Sequence, residues 1–257
     1  MSTLALAARD SSTMIRRQLK RLIRYPSMTI QLIITPVVLL LLFVYVLGGT
    51  LGAGIGGGRD AYVDYVLPGI LLMAAATAAT GTAVMVATDM TEGIIARFRT
   101  MRISRASVLT GHVVGSVVQQ LLGMAVLIGI AFAIGFRPNA TAVEWLATVG
   151  LLTLFVLAIT WLSVALGLKS STPEAASNAP MPLVLLPFLG SGFVPTDDMP
   201  TVLRWFADYQ PFTPIMETIR GLTLGTEIGN SAAIATAWCA GIALLSYLWA
   251  KRTFNNS

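Results

Sequence analysis

Between Glu144 and Lys169 the chain reads WLATVGLLTLFVLAITWLSVALGL, residues 145–168, without a single Asp, Glu, Lys or Arg. A helix needs about 20 apolar residues to cross a hydrocarbon core ~30 Å thick. Irregular backbone facing lipid leaves amides unsatisfied at a cost of several kcal/mol each, so the stretch is predicted to be a transmembrane helix. Working outward, five more stretches lack all four charged residue types: 25–58, 65–88, 106–136, 175–196 and 228–250. Six such segments in 257 residues argue against the buried helices of a soluble protein. The predicted fold is an all-α polytopic membrane protein in a single domain over 1–257. Its spans are expected at about 28–48, 65–88, 112–135, 145–168, 175–195 and 230–250.

Composition agrees. Apolar residues make up 55% of the chain and charged residues 11%, with a mean hydropathy of +0.76. Soluble domains carry about 25% charged residues, so lipid is the expected solvent for most of this surface. The single cysteine, Cys239, excludes an intrachain disulfide and a cysteine-cluster metal site, and the lone His112 cannot build a zinc site. The first apolar run, about 20 residues, exceeds the ~7–15 of a signal peptide and is followed by no clear small-x-small cleavage site, so it is expected to be a retained helix. The run Gly48, Gly49, Gly52, Gly54, Gly56, Gly57 and Gly58 is expected to form a loop after it.

Six crossings place both termini on one side. If that side is the cytoplasm, it holds 13 of the 17 basic residues, among them Arg16, Arg17, Lys20, Arg21, Arg24, Arg97, Arg99, Arg102 and Arg105. The Lys/Arg bias of short loops then favours cytoplasmic N and C termini. The location expected is the bacterial plasma (inner) membrane.

Three segments between the spans carry pattern. Ile15, Leu19, Leu22 and Ile23 fall on one helical face, with Arg16, Lys20 and Arg24 largely on the rest. This is the pattern of a helix lying in the membrane interface, against the alternative of a solvated basic tail that only fixes topology. Basic residues beside an anionic inner leaflet make a nucleic-acid role unexpected. Between the second and third spans, Ile94, Ile95, Phe98 and Met101 recur at helical spacing, interleaved with Arg97, Arg99, Arg102 and Arg105. That loop reads equally as a docking helix for a cytoplasmic partner or as a basic loop obeying charge bias. The external segment, residues 196–227, is too long for a bland turn. It is divided by Pro200, Pro211 and Pro214 and predicts two short helices, Met199–Asp208 and Thr213–Leu224, the second with Glu217 and Arg220 placed to pair at i,i+3. Pro180, Pro182 and Pro187 predict a kinked fifth span.

No G-x-x-x-x-G-K-[ST] phosphate loop occurs, and Lys169-Ser170 follows Leu168 rather than glycine. No carboxylate, lysine or arginine lies deep in any predicted span, whereas ion-coupled carriers commonly place such groups near the midplane. No catalytic set is visible. These features leave three classes open: a permease powered by a separate ATPase, a stand-alone secondary carrier or channel, and a non-transporting membrane assembly factor.

Several motifs narrow the choice. They are Arg24-Tyr25-Pro26 before the first span, Tyr62-Val-Asp64-Tyr65-Val-Leu-Pro68-Gly69-Ile70 entering the second, and Glu92-Gly93-Ile-Ile-Ala-Arg97-Phe98-Arg99 in the loop. Ser191-Gly192-Phe193-Val194-Pro195 ends the fifth, and Pro211-Phe212-Thr213-Pro214, continuing to Glu217, Arg220 and Gly221, precedes the sixth. In this order and spacing the chain resembles the type-2 ABC exporter permeases, in particular the daunorubicin-resistance permease-like branch, over nearly its whole length.

The resemblance implies a transmembrane subunit that pairs with a second copy or a homologous permease chain and with two cytoplasmic ABC ATPase subunits. Those ATPases would bind ATP and Mg, and this chain no cofactor. It implies a coupling helix with Asp89, Glu92, Gly93, Arg97, Phe98, Arg99 and Arg102 at the ATPase. It implies an interfacial helix over 3–25 with Ile15, Arg16, Leu19, Lys20, Leu22 and Arg24. It implies external re-entrant helices forming a gate with Phe193, Pro195, Phe206, Pro211, Pro214, Glu217 and Arg220. The charge-free spans fit an amphipathic or lipid-like substrate (a drug, antibiotic or glycolipid) that enters from the membrane lipids. On this reading Glu92→Ala or Phe98→Ala uncouples the permease from its ATPase or dissociates the two, measured by co-purification and ATP hydrolysis. Retention of both in both variants removes the coupling-loop assignment.

Overall fold

The computed structural model describes residues 26–91, 105–197 and 199–256. The expected interfacial positions Ile15, Arg16, Leu19, Lys20, Leu22 and Arg24 lie outside the described residues, as do the loop positions Glu92, Gly93, Arg97, Phe98, Arg99 and Arg102. Every regular element among the described residues is a helix, and five of the helical runs are long and apolar enough to cross a bilayer.

The first span is continuous from Ile33 to Gly54. Helix α1 (Pro26–Leu41) passes through a π-helical turn (Leu42–Leu47) into α2 (Gly48–Gly54). The glycine run expected as a loop is therefore helical as far as Gly54. The reason lies in the hairpin that follows. Gly52 packs so closely on Gly58 that a Cβ there would overlap the Gly58 carbonyl, and Gly56 (φ +82°) and Gly58 (φ +69°) supply left-handed backbone for the reversal. Helix α3 (Gly58–Thr91) begins at once, several residues ahead of the expected 65.

Helix α3 is the hub. Every residue from Val66 to Met73 is buried, and α1, α4 (Arg105–Ile134) and α5 (Ala142–Lys169) all pack on it. Its middle, AAATAATGTA (residues 74–83), is made of small residues. Such residues let backbones approach in lipid, where van der Waals contact replaces the hydrophobic effect as the force between helices. At Gly167 of α5 a Cβ would lie 2.5 Å from the Ala83 carbonyl oxygen, so the two backbones touch.

Helix α4 ends in a Schellman turn, with Gly135 at φ +120° and the Phe136 N–H donating to the Ala131 carbonyl at 2.9 Å. Helix α5 opens with a capping box: the Thr141 hydroxyl accepts from the Glu144 N–H, and the Glu144 carboxylate accepts from the Thr141 N–H at 2.6 Å.

The fifth charge-free stretch differs from expectation. It is not one kinked helix over 175–195 but three short pieces: α6 (Pro173–Asn178), α7 (Met181–Leu185) and a 3-10 turn (Leu186–Leu189). The Thr172 hydroxyl accepts from the Ala175 N–H to start α6, and hydrogen bonds from its own N–H and from Thr172 hold the exposed Glu174 carboxyl below the usual range. Pro180, Pro182 and Pro187 each lack an N–H, and together they break the helix rather than bend it.

The stretch still runs the length of α3. Ala176 packs with Ala83 and Ala87 at one end, and at the other the Tyr62 hydroxyl donates to the Phe193 carbonyl at 3.1 Å. That part of α3 is about 35 Å long by helical rise. The residues from Ala176 to Phe193 cover it at about 2 Å each, the rise of a 3-10 helix.

After this broken crossing come α8 (Thr201–Tyr209), α9 (Phe212–Leu224) and α10 (Ser231–Asn256), the last lying against α5. The two short helices stand within a few residues of their expected positions.

The tightest approach between α3 and the broken crossing is at Gly69, where a Cβ would lie 2.6 Å from the Gly192 carbonyl oxygen. Gly69→Ala therefore forces backbone apart and is expected to lower the melting temperature of the purified chain. Gly81→Ala, which points into open space on the same helix, is expected to leave it unchanged or raise it, because alanine stabilises a helix by roughly 0.5–1 kcal/mol over glycine. Equal melting temperatures for the two variants would contradict the close approach.

Candidate functional site

The described polar side chains converge where α9 meets the end of the broken crossing and the first turns of α3. Pro211 stands at the N-cap of α9, Pro214 lies buried in its first turn, and Gly225 ends it in the left-handed conformation (φ +75°). At 13 residues α9 is too short to span, yet Phe212, Ile215, Met216, Ile219 and Arg220 are all buried. The helix is inserted among α3, α5 and α10 rather than laid on the surface.

Arg220 is 7% exposed. Its guanidinium donates to the Glu217 carboxylate at 2.9 Å, to the Tyr65 carbonyl at 3.1 Å and to the Ser191 carbonyl at 2.9 Å, and it lies 3.9 Å from the centre of the Tyr65 ring. One side chain therefore ties α9 to α3 and to the broken crossing. The planar fork of arginine suits this, since it reaches two carbonyls and a carboxylate while its face rests on an aromatic ring. Hydrogen bonds from a charged group contribute about 1.5–3 kcal/mol each, against a desolvation cost of several kcal/mol for the buried charge. Deletion is the costly direction, because it strands the Ser191 carbonyl in the interior.

A second set of bonds fixes the same corner. The Thr213 hydroxyl accepts from the Ser191 N–H (3.3 Å) and from the Gln210 side-chain amide (3.0 Å), and the Gln210 carbonyl oxygen accepts from the Phe212 N–H (3.1 Å). Phe193, 5% exposed, lies against Phe43 of the π turn and stacks on Phe188, with centroids 4.4 Å apart in both cases.

The structure thus brings together Phe193, Pro214, Glu217 and Arg220 of the predicted gate residues. Pro195 is partly exposed just beyond the corner, and Phe206 is on the outer side of α8, 40% exposed. Helix α8 is amphipathic. Val202, Trp205 and Tyr209 are open to the surroundings, while Arg204 pairs with Asp197 at 2.6 Å and Asp208 at 3.7 Å. Such exposed pairs contribute little stability. Asp89, the described member of the predicted coupling set, is buried near the other end of α3.

Sequence reasoning did not select Tyr62, Tyr65, Ser191, Gln210 or Thr213 as site residues. Tyr62, Gln210 and Thr213 bond to backbone groups of distant residues, and Tyr65 and Ser191 offer their own backbone, which leaves no periodic trace; four of the five lie inside the quoted motifs and Gln210 just before one. Among the described residues no group of three or more His, Cys, Asp or Glu is placed to hold a metal ion.

The sequence is similar to those of known transporter permeases. The ABC-2 type transporter family matches residues 10–224. The daunorubicin resistance ABC transporter permease protein DrrB1 of Streptomyces coeruleorubidus is 26% identical over 254 residues, 98% of this chain and 88% of its own length. The probable doxorubicin resistance ABC transporter permease protein DrrC of Mycobacterium tuberculosis is 23% identical over 214 residues, 83% of this chain and 78% of its own, in both strains CDC 1551 and H37Rv.

Arg220→Ala is expected to destabilise the purified chain by about 1–3 kcal/mol, the usual cost of leaving a buried acceptor unsatisfied, read as a fall in melting temperature. Arg220→Lys should fall between, since an ammonium cannot reproduce the fork. Glu217→Gln should cost much less, because the Glu217 side chain is 41% exposed. A larger loss from Glu217→Gln than from Arg220→Ala would contradict the assignment.

Proposed function

The chain belongs to the ABC-2 type transporter family and is a transmembrane permease subunit, and on that premise we propose that it exports an amphipathic compound by alternating access, with the α9 plug as its outer gate. The observation that carries the gate is the Arg220 clasp. All bonds between the plug, α3 and the broken crossing that involve Arg220 end on backbone carbonyls, which water can serve equally well once the site opens. The Glu217 partner lies on α9 itself, so Arg220 keeps a counter-charge when the carbonyl contacts part.

Helix α3 supplies the link to an energy source. It is one unbroken helix from Gly58 to Thr91, about 51 Å of rod by helical rise. Tyr62 and Tyr65 stand at the gate end, and Asp89 stands where the loop toward the coupling residues begins. Motion imposed on the loop by an ATPase would reach the clasp through that rod. The family implies ABC ATPase partners and pairing of permeases. The finer reading is two ATPase subunits holding ATP and Mg, a second permease copy or homologous chain, and cytoplasmic termini in a bacterial plasma membrane. The relatives' names carry daunorubicin and doxorubicin resistance, which supports a planar amphipathic drug as the class of cargo.

The test is co-reconstitution with a partner ABC ATPase subunit identified by co-purification with this chain, followed by ATP-driven accumulation of doxorubicin in inside-out vesicles. Wild type should accumulate the drug. In Arg220→Lys, chosen to keep the fold, the gradient should collapse while ATP hydrolysis continues. Accumulation by the permease alone without ATP overturns the ATP-driven reading, and a wild-type gradient in Arg220→Lys overturns the gate.

A further inference from the structure

Helix α8 is held from one side. Its main contacts are with α9 and the 3-10 turn, and its buried residue is Ala207. Val202, Trp205, Phe206 and Tyr209 stand at i, i+3, i+4 and i+7, so they share one face, and that face is turned away from Ala207. Val202 is 84%, Trp205 66% and Tyr209 62% exposed. The Trp205 and Tyr209 rings lie side by side, with centroids 5.6 Å apart. Arg204 and Asp208 form an edge between the apolar face and the bundle, with Val202 and Phe206 on the side opposite that edge. The charges are met within the segment itself: Arg204 pairs with Asp197 and Asp208, and the Thr196 hydroxyl donates to the Asp208 carboxylate at 2.8 Å.

The level of α8 follows from the crossing before it. Phe193 is bonded to Tyr62 in the second turn of α3, where Arg59, Asp60 and Asp64 are the last charges ahead of the charge-free run 65–88. Charge ends there because hydrocarbon begins. Thr201 opens α8 only a few residues beyond Phe193. Exposed Val, Trp and Tyr side chains at that level are poorly served by water. They are also too few for a lasting protein contact. Nine residues make a face roughly 14 Å long and about 10 Å wide, or roughly 140 Å², against about 800 Å² for each partner in a stable interface.

We propose that α8 is a lipid-binding helix lying flat in the headgroup boundary of the outer leaflet. Val202 and Phe206 face the acyl chains, Trp205 and Tyr209 sit at the boundary, and the Arg204–Asp208 edge faces water. The amphipathic rings of Trp and Tyr suit that layer. The two short helices then differ in kind: α9 is inserted among the spans, whereas α8 rests on lipid and does not enter the bilayer core. Phe206 becomes a lipid contact instead of a gate residue. Which leaflet is the outer one follows from the reading of α9 as the outer gate, but the depth of Trp205 does not depend on it.

The test is the tryptophan emission of the full chain in phosphatidylcholine vesicles whose acyl chains are brominated either near the headgroup or near the chain end, with iodide as the quencher in water. The chain has five tryptophans, and subtracting the emission of Trp205→Phe under each condition leaves that of Trp205. A loss of this component to shallow bromine that exceeds the losses to deep bromine and to iodide supports the proposal. A larger loss to deep bromine shows a helix dipping into the core, and a larger loss to iodide shows one standing in water. Protection from all three shows a face covered by protein, such as a second copy of the chain. Each of these three outcomes overturns the proposal. If Trp205→Phe does not fold, a nitroxide on Val202→Cys reads the same depth from its collisions with oxygen and with a nickel chelate, Cys239 being buried. A failure of ATP-driven transport would overturn the gate and leave the measured depth standing.

Discussion

A backbone carbonyl that leaves a helix inside a bilayer has to find another donor, and at the corner of this protein the donor is Arg220. Three prolines break the fifth crossing, and each removes an N–H from the ladder. At the far end of the segment, where it no longer runs as a helix, its backbone groups are met from outside. Arg220 serves the Ser191 carbonyl, Thr213 the Ser191 N–H, Gln210 the Leu186 carbonyl and Tyr62 the Phe193 carbonyl. Irregular backbone at membrane depth is tolerated where protein supplies such partners. The broken crossing and the inserted α9 are thus complementary: neither is satisfied in lipid without the other.

Close packing makes these bonds possible. Gly69 against Gly192, and Gly167 against Ala83, bring backbones within contact, and the alanine-rich middle of α3 leaves room for α5 and α6 alongside. Helices in lipid gain nothing from expelling water between them. The polar contacts at the corner and the Thr82–Ser116 hydrogen bond between α3 and α4 therefore add direction to an association that van der Waals contact alone would leave loosely specified. Helix α3 carries both, and it is buried over about two thirds of its apolar stretch while α1, α4 and α10 are mostly exposed.

Much of this was legible in the residues. The absence of charge over 65–88, 106–136, 145–168 and 228–250 located four continuous helices, because lipid penalises charge and unsatisfied backbone together. Glu217 and Arg220 were expected to pair from spacing alone, and they do. The fifth stretch departs from that pattern because hydropathy measures apolar content and not helix continuity. Pro180, Pro182 and Pro187 signalled a disturbance, but whether a helix bends or breaks depends on whether donors wait nearby, and those donors are on α3 and α9. Propensity reads the glycine run as a loop, yet close approach of Gly52 to Gly58 accompanies a helix as far as Gly54. The reach of Arg220 to two carbonyls was hidden for a similar reason: a carbonyl has no residue type.

The dependence of the broken crossing on α9 sets an order of events during biosynthesis. A ribosome delivers the chain from its N-terminus, so Tyr62 is already in place when Ser191 and Phe193 emerge, but Gln210, Thr213 and Arg220 are not. The fifth crossing cannot settle as a finished unit at the moment it is made. Its full set of hydrogen-bond partners exists only once α9 lies beside it, so the two segments complete one another rather than inserting independently.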